Sequence, residues 1–239
     1  MLTLLTLLTA CNLDQGLFLY AVDDSSSGDT ADTADTAEVE ADTDTDTDTD
    51  TDSDTDTDTD TDTDAGPRPP SPGDLVISEL MIDPSGVSDS VGEWVELVNV
   101  TEDSLDLSDL TLGDEGVDFY LLKMTGLVLS PGGYLVLCAS ADAAENGGVS
   151  CGGEYLYQSF GGGFALANGG DEVVVGLYGG PSIDTVRYGE SVAPVGGSLG
   201  VSPGCLSASD NDRAGCWCAQ GGQLSSGDAG NPGKPNDGC

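Results

Sequence analysis

The side chains able to do chemistry in this chain are cysteines and carboxylates, because its 239 residues contain no histidine. That absence excludes Ser-His-Asp and Cys-His catalysis and any His-ligated zinc or copper centre. The seven cysteines stand at 11, 138, 151, 205, 216, 218 and 239. Setting aside Cys11 leaves six, an even set that implies disulfides in an exported chain. Six cysteines allow fifteen pairings. Cys216 and Cys218 are too close in sequence to bond each other without strain. Cys138 ends an apolar run and Cys151 lies just beyond the polar, Gly-rich stretch 139–150, so these two are expected to pair. Cys205 and Cys239 then take Cys216 and Cys218, in an order the spacing leaves open. A redox or metal site at Cys216-Trp217-Cys218 would need a reducing compartment and has no histidine to help it.

The carboxylates that sit among apolar runs are Glu79, Asp83, Glu93, Glu96, Asp106 and Asp109. Paired carboxylates can bind calcium or hydrolyse glycosides. Strand alternation is expected to put Glu79, Glu93 and Glu96 on different faces, and no spacing matches a calcium loop. They are therefore expected to be solvent-facing acids that discourage edge pairing. Serine and threonine are abundant, but no base is placed to activate one. Lys123 is expected on the surface. No catalytic residue, metal ligand or cofactor is expected.

Charge divides the chain. The net charge is -39, from 44 acidic and five basic residues. Residues 14–64 hold 20 of the acids and none of the bases. From Asp42 to Asp64 aspartate occupies every even position, alternating with threonine except at Ser53. Such a run has no large apolar side chain to bury and is expected to stay disordered. Successive aspartates in an extended chain are about 7 Å apart, inside the ~8 Å Debye length, so they stiffen the run. Residues 11–72 thus form an acidic tether, roughly 200 Å long if fully stretched at ~3.3 Å per residue. It closes on the Pro-rich collar Gly66-Pro67-Arg68-Pro69-Pro70-Ser71-Pro72. The run has no glycine, unlike calcium loops, and reads as a spacer with weak divalent-cation accumulation. Both halves repel polyanions, so nucleic acid is not an expected partner.

From Gly73 the pattern changes to short β-type runs between Gly, Pro, Asn and Asp turns. These are Leu75–Ile82, Glu93–Val100, Leu105–Leu112, Phe119–Leu122, Tyr134–Leu137, Phe164–Leu166, Glu172–Tyr178 and Ile183–Tyr188. Eight or nine short strands and no long amphipathic helix argue for an all-β antiparallel sandwich or barrel. Val95 and Leu97 should share one face. Pro131-Gly132 suits a turn before a strand, and Asn168-Gly169-Gly170-Asp171 suits a hairpin. Trp94 and Trp217 are expected to close the two ends of the sandwich.

The order of these pieces resembles the lamin-tail domain in its bacterial extracellular form. The matching pieces are Val76-Ile77-Ser78-Glu79-Leu80, Glu93-Trp94-Val95-Glu96-Leu97-Val98-Asn99, Leu105-Asp106-Leu107-Ser108 and Leu129-Ser130-Pro131-Gly132-Gly133-Tyr134. Leu166-Ala167-Asn168-Gly169-Gly170-Asp171-Glu172-Val173, Ile183-Asp184 and Asn231-Pro232-Gly233-Lys234-Pro235-Asn236 follow in order. The resemblance covers most of residues 74–236 and implies an immunoglobulin-like antiparallel β-sandwich. The region Cys205–Cys239 is longer and richer in cysteine than the family pattern.

Residues 1–10 read MLTLLTLLTA, followed by Cys11. Leu8-Thr9-Ala10-Cys11 resembles a bacterial lipobox, which implies a signal peptide over 1–10 and lipidation of Cys11. The organisation expected is thus a lipidated cysteine, an acidic tether over 11–72 and a lamin-tail-like sandwich with a Cys-rich extension over 73–239. The expected function is a non-enzymatic, lipid-anchored surface module, in the cell envelope and most simply the outer membrane. Its partner would be a surface protein or polysaccharide. The alternatives are an accessory domain or weak carboxylate-dependent hydrolase, and a calcium-dependent cohesion protein.

Overall fold

Short apolar runs broken by turn residues can satisfy their backbone only by pairing with one another, and here they pair into two facing sheets. The computed structural model describes residues 66–158, 161–189 and 192–239. The proposed signal peptide, Cys11 and the Thr-Asp run lie outside these described residues. The strands are β1 (Leu75–Met81), β2 (Trp94–Asn99), β3 (Leu105–Asp106), β4 (Leu110–Gly113), β5 (Phe119–Leu121) and β6 (Val128–Leu129). They continue with β7 (Tyr134–Cys138), β8 (Gly153–Glu154), β9 (Gly170–Leu177), β10 (Ser182–Gly189), β11 (Leu199–Val201) and β12 (Trp217–Ala219). A four-residue helix, α1 (Asp89–Gly92), leads into β2.

One sheet has six strands in the order β12-β11-β1-β2-β7-β8. The other has four, β10-β9-β4-β5, and β3 pairs with β6 as a small third ladder. Every pairing of these strands is antiparallel except β7 with β8. The fold is the expected all-β, immunoglobulin-like sandwich.

The core follows from side-chain alternation. Leu75 and Ile77 point inward from β1, and a register shift between Ile77 and Glu79 then changes the phase, so Leu80 and Ile82 also point inward. Val95 and Leu97 of β2 share that face, as their spacing predicts, with Leu135 and Leu137 of β7. Leu110 and Leu112 of β4, Val173 and Val175 of β9, and Ile183 and Val186 of β10 meet them from the other sheet. Tyr155 and Phe164 pack edge to face within this core, with ring centroids 5.4 Å apart. Each fully buried leucine contributes about 1.5–3 kcal/mol relative to exposure.

Several expected elements differ. The single strand over Leu105–Leu112 is two, because Asp106 turns the chain. Its Oδ1 accepts from the Ser108 amide at 3.0 Å and the Ser108 hydroxyl at 2.5 Å. Such local side-chain bonds compete with ladder pairing. Phe164–Leu166 is not a strand, and Phe164 makes only an isolated bridge to Tyr157. The Asn168–Asp171 turn opens β9 rather than joining two paired strands. The hairpin β9–β10 instead turns at Tyr178-Gly179-Gly180-Pro181, where Gly179 has φ 71° and the Gly180 amide bonds to the Leu177 carbonyl. The Pro131-Gly132 turn before β7 forms as expected, with Gly132 at φ 66° and the Gly133 amide bonded to the Ser130 carbonyl.

Cys138 is disulfide-bonded to Cys151, Cys205 to Cys216 and Cys218 to Cys239. The order left open by spacing is thereby resolved. The last bridge fastens Cys239 to the edge strand β12.

Candidate functional site

The acids singled out in the sequence do not face solvent. Glu79, Glu93 and Glu96 are all 0% exposed. Glu79 and Glu96 stand opposite each other on β1 and β2 and point away from the core, with Met81 and Trp94. What buries them is the C-terminal segment. The Asn231 amide donates to Glu79 Oε1 at 2.8 Å, and the Gly233 amide donates to Glu96 Oε2 at 2.5 Å. The Ser198 hydroxyl also donates to Glu79 Oε1, and the Ser78 hydroxyl donates to Glu96 Oε1 at 2.7 Å. Asn236 Nδ2 donates to the Ser78 carbonyl at 2.7 Å. Residues 229–238 therefore form a strap across β1 and β2, pinned at one end by the Cys218–Cys239 disulfide.

The other end is pinned by Asp228. Its Oδ1 accepts from the Ser85 amide at 3.0 Å, the Ser85 hydroxyl at 2.7 Å and the Gly86 amide at 3.0 Å, and the Ser226 hydroxyl donates to Oδ2 at 2.9 Å. Burial pushes the Asp228 carboxyl up, but these donors carry it below its ordinary range. Glu79 shows the opposite balance. Burial pushes its carboxyl from 4.5 to about 7, against the pull of Asn231 and Ser198, and its Oε2 has no hydrogen-bond partner. Burial raises Glu96 to about 8, aided by the neighbouring Glu79 charge. The number of donors decides whether a buried carboxyl keeps its charge.

Trp94 joins the same cover. It does not close an end of the sandwich. It sits on the outer face with Met81, Val136, Cys138 and Val149, 1% exposed, and Leu224 packs against this cluster. Glycines let the strap approach. A Cβ on Gly230 would stand 3.1 Å from Trp94 Cζ2 and 3.3 Å from Glu79 Oε1. A Cβ on Gly222 would collide with the Gly230 carbonyl oxygen. Trp217 packs on the main core, with its indole N–H donating to the Asn211 carbonyl at 2.5 Å.

Glu93 occupies a separate place. Its Oε2 accepts from the Leu166 amide at 2.8 Å, while Oε1 has no partner. Burial raises it to about 9, and the charges of Asp89, Asp171 and Asp83 push the same way. Close by is an open cavity of about 370 Å³ lined by Asp89, Asp114, Asp118, Asp171, Tyr157 and Asn168, among others. Two of these aspartates serve their own loops. Asp114 Oδ1 accepts from the Gly116 and Asp118 amides at 2.8 and 2.9 Å, and Asp171 accepts from the Ala167 and Glu172 amides at 2.8 and 2.9 Å. Asp118 is 7% exposed and its Oδ1 is unpartnered. Burial and the Asp114 and Asp171 charges raise its carboxyl. Among the described residues no three acids or cysteines stand close enough together to hold a metal ion.

One more buried acid is invisible to strand patterning. Asp184 of β10 reaches across to β1, where its Oδ2 accepts from the Ile77 amide and from Asn211 Nδ2, both at 2.7 Å. Burial raises it to about 6. Asp83 is half-buried, Asp106 caps its own turn and Asp109 is exposed, so these three do not join any of the buried groups. Lys123 is exposed, as expected. The chemistry of this arrangement is that of hydrogen-bond acceptors. Here Glu79 and Glu96 lie under the chain's own strap, whereas glycoside hydrolysis uses two carboxyls at an open cleft.

No curated protein and no solved structure matches this chain. The Lamin Tail Domain family matches residues 68–190, just over half of the sequence. The match ends before β11 and β12, so the six-stranded sheet and its strap are completed by residues outside it. Because that match takes in β1 to β10 and more than half of the sequence, this chain belongs to the lamin tail domain family.

Proposed function

We propose that this protein is a non-enzymatic surface module, anchored through a lipidated Cys11 and displayed on an extended polyanionic spacer. The observation that carries the reading is the cysteine pairing. All six cysteines of the sandwich are bonded to one another, so the seventh, Cys11, is left outside the disulfide framework. Disulfides of this kind persist in exported proteins. An exported chain whose odd cysteine follows Leu8-Thr9-Ala10 fits lipid attachment. Two acyl chains suffice for stable membrane binding. The burial of Glu79, Glu93 and Glu96 supports a module that binds or braces over one that hydrolyses. The Thr-Asp spacer holds such a module away from the membrane, and its charge favours neutral or basic partners such as polysaccharides or basic surface proteins.

The test is Cys11→Ser in the full chain, followed by membrane fractionation. The native protein is expected to sediment with membranes and the variant to be released. A variant that still sediments after a carbonate wash overturns the anchor. Screening the released protein against cell-surface polysaccharides should show retention without turnover, and turnover would overturn the non-enzymatic reading.

A further inference from the structure

A strap fixed at both ends and held in the middle by two carboxyls is a mechanical device. Residues 229–238 run between the Asp228 anchor and the Cys218–Cys239 disulfide. Between these fixed points they are held to the sheet through Asn231 on Glu79, Gly233 on Glu96 and Asn236 on the Ser78 carbonyl, and to Gln220 beside β12, whose Oε1 accepts from Asn231 Nδ2 at 3.0 Å and from the Asp237 amide at 2.7 Å. Both glutamates point outward from the sheet and are sealed by the strap, and Gly230 of the strap closes one side of Trp94, which also packs in a cluster with Val149 and Leu224.

We propose that the strap is a proton-operated latch, closed while Glu79 and Glu96 carry protons and opened as they ionise, so that it uncovers Trp94 and the outer face of β1 and β2. The reason is desolvation. Under the strap an ionised carboxylate loses its water and gains only two donors, and two such groups face each other across adjacent strands. Lifting residues 231–236 returns both to water while the bridges of Ala229 to Gly197 and Gln223 and the ladders of the six-stranded sheet stay in place. The other charged or titratable groups that act on the pair are few. Lys234 of the strap favours the ionised form of Glu79, Asp237 opposes it, and Tyr134 of β7 is neutral and lies near Glu96. Asp228, ionised and well supplied with donors, keeps its end fixed. The disulfide keeps the other, so opening is a local bowing and not a loss of the tail.

The pH window follows from linkage. In the open state both glutamates return to their ordinary value of 4.5, and in the closed state they lie at about 7 and about 8. Opening therefore releases protons between these limits. It becomes favoured about tenfold per pH unit for each group still titrating, and levels off above the higher value.

The experiment is amide exchange on the full chain, corrected for intrinsic rate, from pH 5 to 9. Protection at Asn231 and Gly233 is expected to fall by about ten-thousandfold between pH 5 and 8 and then level off. Protection at Val174 of β9 should stay high. In a Trp217→Phe background, Trp94 emission should shift to the red over the same interval. Glu79→Gln with Glu96→Gln keeps an acceptor oxygen at each place and cannot ionise, so its strap protection should be independent of pH. Flat protection in the native chain overturns the latch. So does a parallel fall at Val174, which marks global unfolding, or a pH-dependent fall that survives in the double variant. The native pH series decides the matter even if the double variant does not fold.

Discussion

Two acidic regions of this molecule have similar composition and opposite physics. On the outer face of the six-stranded sheet, Glu79 and Glu96 are sealed by residues from the far end of the chain, and both carboxyls are driven well above their ordinary range. Around the open cavity, Asp89, Asp114 and Asp171 remain half-buried, and Asp114 and Asp171 accept bonds from amides within a few residues of themselves. What an acid does here depends on who covers it. A carboxylate served by its own loop keeps water as a partner. One covered by a distant segment becomes that segment's attachment point and titrates with its departure.

The largest effect that would separate the two regions is on global stability against pH. Asp184, Glu79, Glu96 and Glu93 have folded values raised to about 6, 7, 8 and 9. The folded state thus binds more protons than the unfolded one above pH ~4, and stability must fall as pH rises. The stabilisation is fully present below the unfolded values and is lost as pH climbs through the folded ones. A loss of several kcal/mol between pH 5 and 9 is expected, since each pH unit by which a carboxyl is displaced is worth about 1.4 kcal/mol. Urea titrations across this range check it, and a stability that rises toward pH 9 would erase the distinction between the two regions. Glu93 lies outside the strap, so the global loss should continue to about pH 9 after strap protection has levelled.

A smaller effect comes from the strap's packing. Gly222→Ala drives a methyl into a backbone oxygen of the strap, whereas a Cβ on Gly169, beside the acidic cavity, meets nothing within 4 Å. The first substitution is expected to cost about 1–3 kcal/mol, through forced backbone shifts. The second should leave the melting temperature nearly unchanged. Equal effects would mean that the strap is looser than its contacts.

The smallest effect is at Asp118. Asp118→Asn removes one charge from a cluster that repels it and is expected to change stability by no more than ~0.5–1 kcal/mol, in the stabilising direction at neutral pH. Thermal melts of the two proteins at pH 7 measure it. A loss of several kcal/mol would show that Asp118 is as deeply committed as Glu79.

Much of the sandwich is legible in the sequence because strand alternation is a local property. The runs at 75–82, 93–100, 134–137, 172–178 and 183–188 form strands within a residue or two of their expected limits. The failures are of two kinds. The run Leu105–Leu112 reads as continuous because nothing in its apolar spacing shows Asp106 capturing Ser108. Strands β11 and β12 escape notice because three-residue strands carry almost no periodicity. Glu79 and Glu96 differ from expectation for another reason. The two share one face instead of lying on different ones: alternation turns Glu96 away from the core, the register shift after Ile77 does the same for Glu79, and on this sheet outward does not mean solvent. One signal argues for this in the sequence itself. The outward positions of β1, β2 and β7 also carry Met81, Trp94, Val136 and Cys138, and a strand apolar on both faces is covered on both.

The all-β class, the inward set of the main strands, the division between an acidic run and a foldable part, and a short list of disulfides all follow from the order of residues. They rest on periods of two, on composition and on counting, none of which needs a third dimension. The order of the last two disulfides, the bridge from Asp184 to β1, and the burial of Glu79 and Glu96 come from packing alone. Each depends on which distant segment arrives at a given face. Residues 231 and 233 lie about 150 and 140 positions from the glutamates they cover. Local patterning is silent at that range, and it is there that the burial free energy of a carboxyl is settled.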